Sequence, residues 1–348
     1  MTAPLLAPLL GVREAELSDG REASRIDGFV REAAGGAPFY LTGWSRAVER
    51  GCGQRARYLV AERADGSIAG VLPLTQMRSA LFGRALVSTG FGVGGGVLGE
   101  GVEALAAGAW ALAERLGCGV ELRGGVAPAG WRVDDTTYCG FARPLAADDD
   151  GDLAAIPRKQ RAEVRKALAA GLAVATGSAP ADFAEHYRVY AESVRNLGTP
   201  VFPAALMRSA AAELDVDVLS VRHHGRAVAS VLSFYHAGTV YPYWGGGTAA
   251  ARGLRANDLM YLALMRHARA RGCTRFDFGR SKAGTGAAAF KKNWGFTPEP
   301  LAYASRSVGE ARQVNPLNPR YAAMVSAWRR LPLPVANLIG PWLARGLG

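Results

Sequence analysis

An internal duplication constrains this chain more than any single motif. Gly117-Cys118 closes an alanine-rich helix expected over 102–116, and Gly272-Cys273 closes a second that starts at Asn257, a natural N-cap followed by Asp258. A strand meander and a glycine-rich loop precede each helix, Gly90–Gly101 in one half and Gly245–Gly253 in the other. After each comes a short strand bearing one acid, Val120-Glu121-Leu122 and Phe276-Asp277-Phe278. A repeated α/β domain explains this order better than coincidence, and 348 residues is enough for about two ordinary domains.

Local signals fill in the two copies. The first half has a short helix over 39–50 carrying Trp44, then strands over 57–62 and 68–77 joined by the turn Ala64-Asp65-Gly66. The second has helices near 182–196 and 203–214. Strands over 216–222, 227–235 and 239–244 then meet at the turns HHGR and HAGT. Boundaries follow at 1–146 for a degenerate first domain, 147–152 for an acidic linker and 153–306 for the domain with the site. Residues 307–348 form a basic, apolar tail.

A net charge of +11 and a pI near 9.8 favour anionic partners such as nucleotides, RNA, sugar phosphates or a membrane surface, without choosing among them. Cys52, Cys118, Cys139 and Cys273 have no CxxC spacing and read as buried thiols of a reducing cytoplasm. The five histidines, His223-His224 among them, offer no metal-ligand spacing, so no metal is expected. The N-terminus lacks a basic lead and is broken by Pro4 and Pro8, which makes a poor signal peptide. No run of 18 apolar residues predicts a membrane span.

Chemistry concentrates in FDFGRSKAGTGAAAFKKNWGF, Phe276 to Phe296. Its alternation turns Asp277 away from the two flanking rings. Gly279, Gly284 and Gly286 permit sharp turns around Arg280 and Lys282, and a helix over 287–293 ends in Phe290, Lys291, Lys292 and Trp294. Two aromatics beside four cations suit an anionic, partly planar ligand; a solvated basic turn over a core helix would look similar. Upstream, Arg158, Arg161 and Arg165 share one face of a helix ending at Gly171. That face holds phosphate or is simply solvated.

The element order of meander, glycine loop, helix, strand, helix and Gly-Phe resembles the GNAT acyltransferase fold. Two such domains in tandem resemble the FemAB aminoacyl transferases, and in particular the FemAB-like proteins associated with PEP-CTERM/exosortase systems. The resemblance covers nearly the whole chain. It rests on the stretch just quoted, on GVLPLTQMRSALFG, and on the tail NPLNPRYAAMVSAWRRLPLPVANLIGPWLARGLG. It implies an N-acyltransferase of the α/β class acting on an envelope or exopolysaccharide precursor. By resemblance, a splayed strand over 241–244 steadies the oxyanion, and a loop with Arg252, Gly253, Arg255 and Asn257 meets the donor's phosphates.

Coenzyme A-using relatives carry glycine where Arg255 and Asn257 stand, and side chains there crowd a pyrophosphate. Fem transferases have a Phe-Lys pair that matches Phe290-Lys291, where other GNAT enzymes commonly place a tyrosine acid. The resemblance thus implies Lys291 as electrostatic stabiliser and Phe290 as wall of the acyl pocket. Asp277 serves as a base or, preferably, pairs with Arg280. Arg280, Lys282, Lys292 and Trp294 are expected at the substrate. Tyr243, Trp244 and Tyr261 would line the acceptor cleft, though core residues would read the same. The donor is aminoacyl-tRNA or acyl-CoA, with no tightly bound cofactor. The partners are an anionic small-molecule or carrier-linked acceptor and tRNA, but not DNA. The rival reading is a non-catalytic scaffold of the same fold that binds a polysaccharide-assembly complex. The tail, with Arg320, Arg329, Arg330 and Arg345 among apolar residues, is either a strap across one domain or a foot on anionic inner membrane.

Overall fold

The computed structural model describes residues 10–307 and 319–348, so Pro4, Pro8 and the start of the tail motif lie outside the described residues. The first pass runs β1 (Gly11–Glu14), α1 (Gly20–Glu32), α2 (Thr42–Cys52), β2 (Arg55–Glu62), β3 (Ile68–Ser79) and β4 (Gly83–Ser88). It continues with β5 (Leu98–Gly99), α3 (Val102–Leu116), β6 (Gly119–Arg123), β7 (Arg132–Asp134) and β8 (Tyr138–Pro144). The second pass opens with α4 (Asp149–Ala155), α5 (Arg158–Leu168), β9 (Ala173–Gly177), α6 (Pro180–Leu197) and α7 (Ala204–Glu213). Then come β10 (Val216–His223), β11 (Arg226–His236), β12 (Thr239–Gly247), α8 (Ala251–Leu254) and α9 (Ala256–Ala270). The chain closes with β13 (Arg275–Lys282), α10 (Gly286–Asn293), β14 (Glu299–Pro300), β15 (Tyr303–Arg306), α11 (Pro319–Arg330) and α12 (Leu333–Ala344).

The duplication is real in three dimensions. One sheet is ordered β1-β2-β3-β4-β6-β15-β7, with β5 beside β3, and the other β9-β10-β11-β12-β13-β8-β14. Within each row a single pair is parallel, β4 with β6 and β12 with β13. Even the helix stops agree. Gly117 and Gly272 sit at φ of 62° and 81°, where a side chain would be strained. The following Cys118 and Cys273 N–H groups reach back to Ala113 O at 3.0 Å and Ala268 O at 2.9 Å, the same helix-closing bond in both copies.

The sixth place of each row corrects the expected boundaries. β15 comes from the second half yet pairs with β6, from Tyr303 opposite Arg123 to Arg306 opposite Val120. β8 comes from the first half yet pairs with β13, from Arg275 opposite Pro144 to Lys282 opposite Tyr138. The halves have therefore traded a strand, and cuts at 146 and 306 would divide both sheets. The acidic linker is corrected as well. Asp148 caps α4 through the Gly151 N–H at 2.8 Å, while Asp149 and the fully buried Asp152 pair with Arg266 and Arg269 of α9. Asp residues suit a helix start, which explains why a run of them winds here rather than remaining open.

A core shared by both halves holds the sheets together. Phe39 and Trp44 meet Phe234, Tyr243 and Trp244, with Phe39 and Trp44 ring centres 4.9 Å apart and edge-on. Burying such rings contributes about 1.5–3 kcal/mol each. Helix α2 lies on α7, and Glu213 accepts from Arg46 at 2.7 Å and from Arg50. At the far end α11 and α12 strap α6, turning Trp328, Ala336 and Ala344 inward. The C-terminal Gly348 carbonyl accepts from Arg123 at 3.4 Å.

Candidate active site

β12 and β13 share only two residue pairs, Thr239 with Arg275 and Val240 with Phe276, before they separate. The opening is a cleft of about 770 Å³. β4 and β6 remain paired from Ala85 to Ser88. The matching end of the first sheet is plugged by its own glycine loop, since Ser88 Oγ accepts the Gly96 N–H at 2.7 Å. Among the described residues the open splay belongs to the second copy. Along Gly245–Gly247, alternate N–H groups face away from β11 and toward that splay. Ser193 Oγ of α6 accepts the Gly247 N–H at 3.3 Å and so fixes this edge.

The cleft has an aromatic floor and a charged rim. Tyr261 lies 4.6 Å from Phe278 and 5.7 Å from Phe290, measured between ring centres. Helix α9 is entered from the short α8 through Arg255, whose φ of 57° makes the turn; Asn257 is therefore inside the helix and is not its N-cap. The Arg255 guanidinium pairs with Glu163 of α5. Beside it Asp258 accepts from Gln160 Nε2 at 2.6 Å, and burial pushes its carboxyl up to about 6.

Lys291 is buried at the inner end of this cleft. β13 bulges against β8 between Asp277 and Arg280, with Gly279 at φ 68°. Lys291 Nζ donates to the carbonyls of Gly279 at 3.1 Å and Arg280 at 2.9 Å, within that bulge. It also lies over the rings of Phe141 and Phe278 at 5.3 and 5.4 Å. Burial lowers its pKa to about 8, partly offset by the charge of Asp277. An ammonium has three donors, and two are committed to the bulge, which leaves one for a ligand.

Asp277 lines a second cleft of about 580 Å³ between the halves. Strand alternation sends it opposite to Phe276 and Phe278, as expected from the sequence. Its carboxylate accepts the Gly279 N–H at 2.8 Å, and burial raises its pKa above the ordinary carboxylate value. Tyr241, Tyr243 and Arg275 stand on the same wall, and the loops Gly94-Gly95 and Gly124-Gly125 face them. Asp277, Gly279 and Lys291 thus connect the two clefts through one bulge.

Several expected site residues lie elsewhere. Arg280 makes no ion pair with Asp277. It donates to Tyr303 Oη and sits over the stacked pair Tyr138–Tyr303, whose rings are 4.6 Å apart. Those tyrosines belong to the two traded strands, so Arg280 clamps the exchange. Arg280→Ala should lower the unfolding free energy by about 1–3 kcal/mol, read by urea titration, while KM for either substrate stays within twofold. Trp294 and Trp244 are core residues, 0% and 2% exposed, and line neither cleft. Lys282 lies over Tyr138 at 5.6 Å, while Lys292 and Gly253 are exposed outside the cleft lining.

The arginine face of α5 is divided. Arg161 closes α4 by donating to the carbonyls of Ala154 and Ile156, at 2.8 and 2.9 Å, whereas Arg158 and Arg165 are exposed. Of the loop residues, Arg252, Arg255 and Asn257 line the β12–β13 cleft with Phe290 and Tyr261; Tyr243 lines the other, donating to Phe91 O. Sequence reasoning missed Asp258 as a cleft residue, together with Ser193, Arg275 and the facing glycine loops. Asp258 read as a helix-start acid, and the glycine pairs as turns.

Among the described residues no group of three or more His, Cys, Asp or Glu could hold a metal ion, and no helix is long and apolar enough to cross a membrane. Residues 158–292 match the acetyltransferase (GNAT) domain family. No curated protein matches the sequence. Among solved structures the fold is similar to FemX, at 15% identity over 84% of this chain and 96% of that one, with a TM-score of 0.65. It is also similar to the C-terminal domain (DUF2156) of a putative lysylphosphatidylglycerol synthetase from Agrobacterium fabrum, at 14% identity, 90% and 95% coverage and TM-score 0.58. A tandem GNAT protein from the clavulanic acid biosynthesis pathway matches at 16% identity, 87% and 100% coverage and TM-score 0.54. Residues 158–292 thus match the GNAT acetyltransferase domain family, and the chain is built on two GNAT folds in tandem.

Proposed function

We propose that this enzyme transfers an aminoacyl group from a donor in the β12–β13 cleft to an amino group of an acceptor in the cleft between the halves. The observation that carries this reading is Asp258. A carboxyl at the start of α9 occupies the place where a pyrophosphate would need positive charge. The same carboxylate suits the ammonium of an aminoacyl ester, and Phe290 and Tyr261 give its side chain an apolar seat. Fit to coenzyme A is therefore poor, and no step is assigned to it. FemX and the lysylphosphatidylglycerol synthetase domain share this two-domain fold.

In the reaction the acceptor amine gives its proton to Asp277 and attacks the ester carbonyl. The C–N bond forms and the C–O bond breaks. The Gly245 N–H on the splayed side of β12 steadies the oxyanion, and Lys291 donates its third proton toward the departing ribose oxygen. The glycines that line this cleft, with Arg275 beside them, leave room for a sugar or phosphate group of an anionic acceptor. An amino-bearing envelope or exopolysaccharide precursor, as in PEP-CTERM/exosortase systems, is the acceptor class proposed. Two open clefts joined through buried charges favour an enzyme over a scaffold.

Calorimetric titration separates the donors. A 3′-amide-linked aminoacyl-adenosine should bind at least tenfold tighter than coenzyme A, and Asp258→Asn should weaken it about tenfold while leaving coenzyme A unchanged or tighter. Tighter binding of coenzyme A by the unaltered protein would overturn the aminoacyl reading.

A further inference from the structure

The two sequence stretches that the site leaves unused, GVLPLTQMRSALFG and the C-terminal tail, come together on one surface. Helix α12 turns Ala336, Gly340 and Ala344 to the protein. Its opposite face presents Val335, Leu338, Ile339 and Trp342 at 41%, 79%, 39% and 56% exposure, a stripe at i, i+3, i+4 and i+7. At its C-terminal end the chain meets the β3–β4 hairpin. Gln54 Nε2 donates to Arg345 O at 2.8 Å and to Arg78 O at 3.0 Å, which ties the two segments side by side. Gly346 packs so close to Ser79 that an added Cβ would lie 2.6 Å from its Oγ. The hairpin tip carries Leu81, 59% exposed, with Arg78 and Arg84 at its base.

Charge says what covers this face. No acid occurs after Glu310, nor between Asp65 and Glu100. Arg330 and Arg345 stand at the two ends of α12, and both are exposed. Pro334 and Pro341, with only 12 residues in the helix, exclude a span, but 12 residues lying flat reach about 18 Å. An apolar stripe with a tryptophan, arginines at both ends and an apolar hairpin tip beside it match a bilayer surface, with rings among the acyl chains and guanidiniums on headgroup phosphates. We infer that α12 and the β3–β4 hairpin form a docking face for anionic lipid bilayers. The tail is then strap and foot at once, one side of α12 serving each role.

Sedimentation with vesicles tests this on the full chain. The protein should pellet with phosphatidylglycerol vesicles at low salt, and about tenfold less with phosphatidylcholine. Leu338→Glu with Trp342→Glu should cut the bound fraction about tenfold without moving Tm, since both side chains are exposed, and Leu81→Glu should act in the same direction. Arg226→Glu, on the β10–β11 hairpin, should leave binding unchanged. Equal loss from Arg226→Glu would mean that net charge alone binds lipid and would overturn the site. So would full retention by the double variant, or a dimer on gel filtration that Leu338→Glu dissolves, which would make a second copy the occupant.

Discussion

Lys291→Met lowers kcat by about 10²–10³-fold while Lys292→Met changes it less than threefold, the largest contrast expected between neighbouring residues of this chain. Lys292 is exposed on the far side of α10, about 100° away, and reaches neither cleft. Lys291 is the buried cation between them. A pH profile distinguishes charge from packing. The Lys291 pKa is lowered to about 8, so its cation is present below that pH and lost above it. Turnover should therefore fall on the alkaline side with a midpoint near 8, and Lys291→Met should flatten that limb. Methionine keeps most of the volume, so Tm reports separately on the two carbonyls left without a donor. An unchanged alkaline limb in the variant would remove Lys291 from the chemistry.

Asp277→Asn should lower kcat/KM by about 10²–10⁴-fold. Asparagine can still accept the Gly279 N–H, so the bulge and the fold are expected to survive. The carboxylate is needed deprotonated, and burial raises its pKa, so activity falls with acid at a pH above the ordinary carboxylate range. In the variant that acidic limb should revert to the titration of the acceptor amine alone. If Asp277→Asn keeps both its rate and its acidic limb, the proton must leave by another route, and Asp277 serves only to turn the chain at Gly279.

Much of the architecture is legible in the sequence because local chemistry dictates it. Glycine at a helix stop, the HHGR and HAGT turns and alternation in Phe276-Asp277-Phe278 depend on neighbours a few residues away. The trade of β8 and β15 does not. Both are short strands with nothing in their composition to name a partner far along the chain, and only packing chooses the sheet. The acidic run misled for a similar reason. Asp149 and Asp152 find Arg266 and Arg269 more than a hundred residues away, and without those partners a linker is the natural reading. At the site, Phe290-Lys291 stood out by its motif. Trp294 stood out equally and proved to be core, because a tryptophan beside cations has the same sequence whether it faces a ligand or the interior. Adjacency in sequence points Arg280 toward Asp277; the bulge at Gly279 sends it instead to Tyr138 and Tyr303.

The traded strands also bear on how substrates enter. In many two-lobed enzymes the lobes swing apart about a hinge to admit a substrate and close over it. Here each lobe has a strand sewn into the other, with further clamping by Arg280 and by the shared aromatic core. Swinging would break two ladders of backbone hydrogen bonds at once, a cost far above what ligand binding returns. Access to the cleft between the halves is then past a rim that is itself tied down, the Gly95 carbonyl accepting from Tyr40 and the Gly124 N–H donating to Ala302 O at 2.9 Å. The molecule is a rigid frame, and its substrate must fit a doorway that is already built.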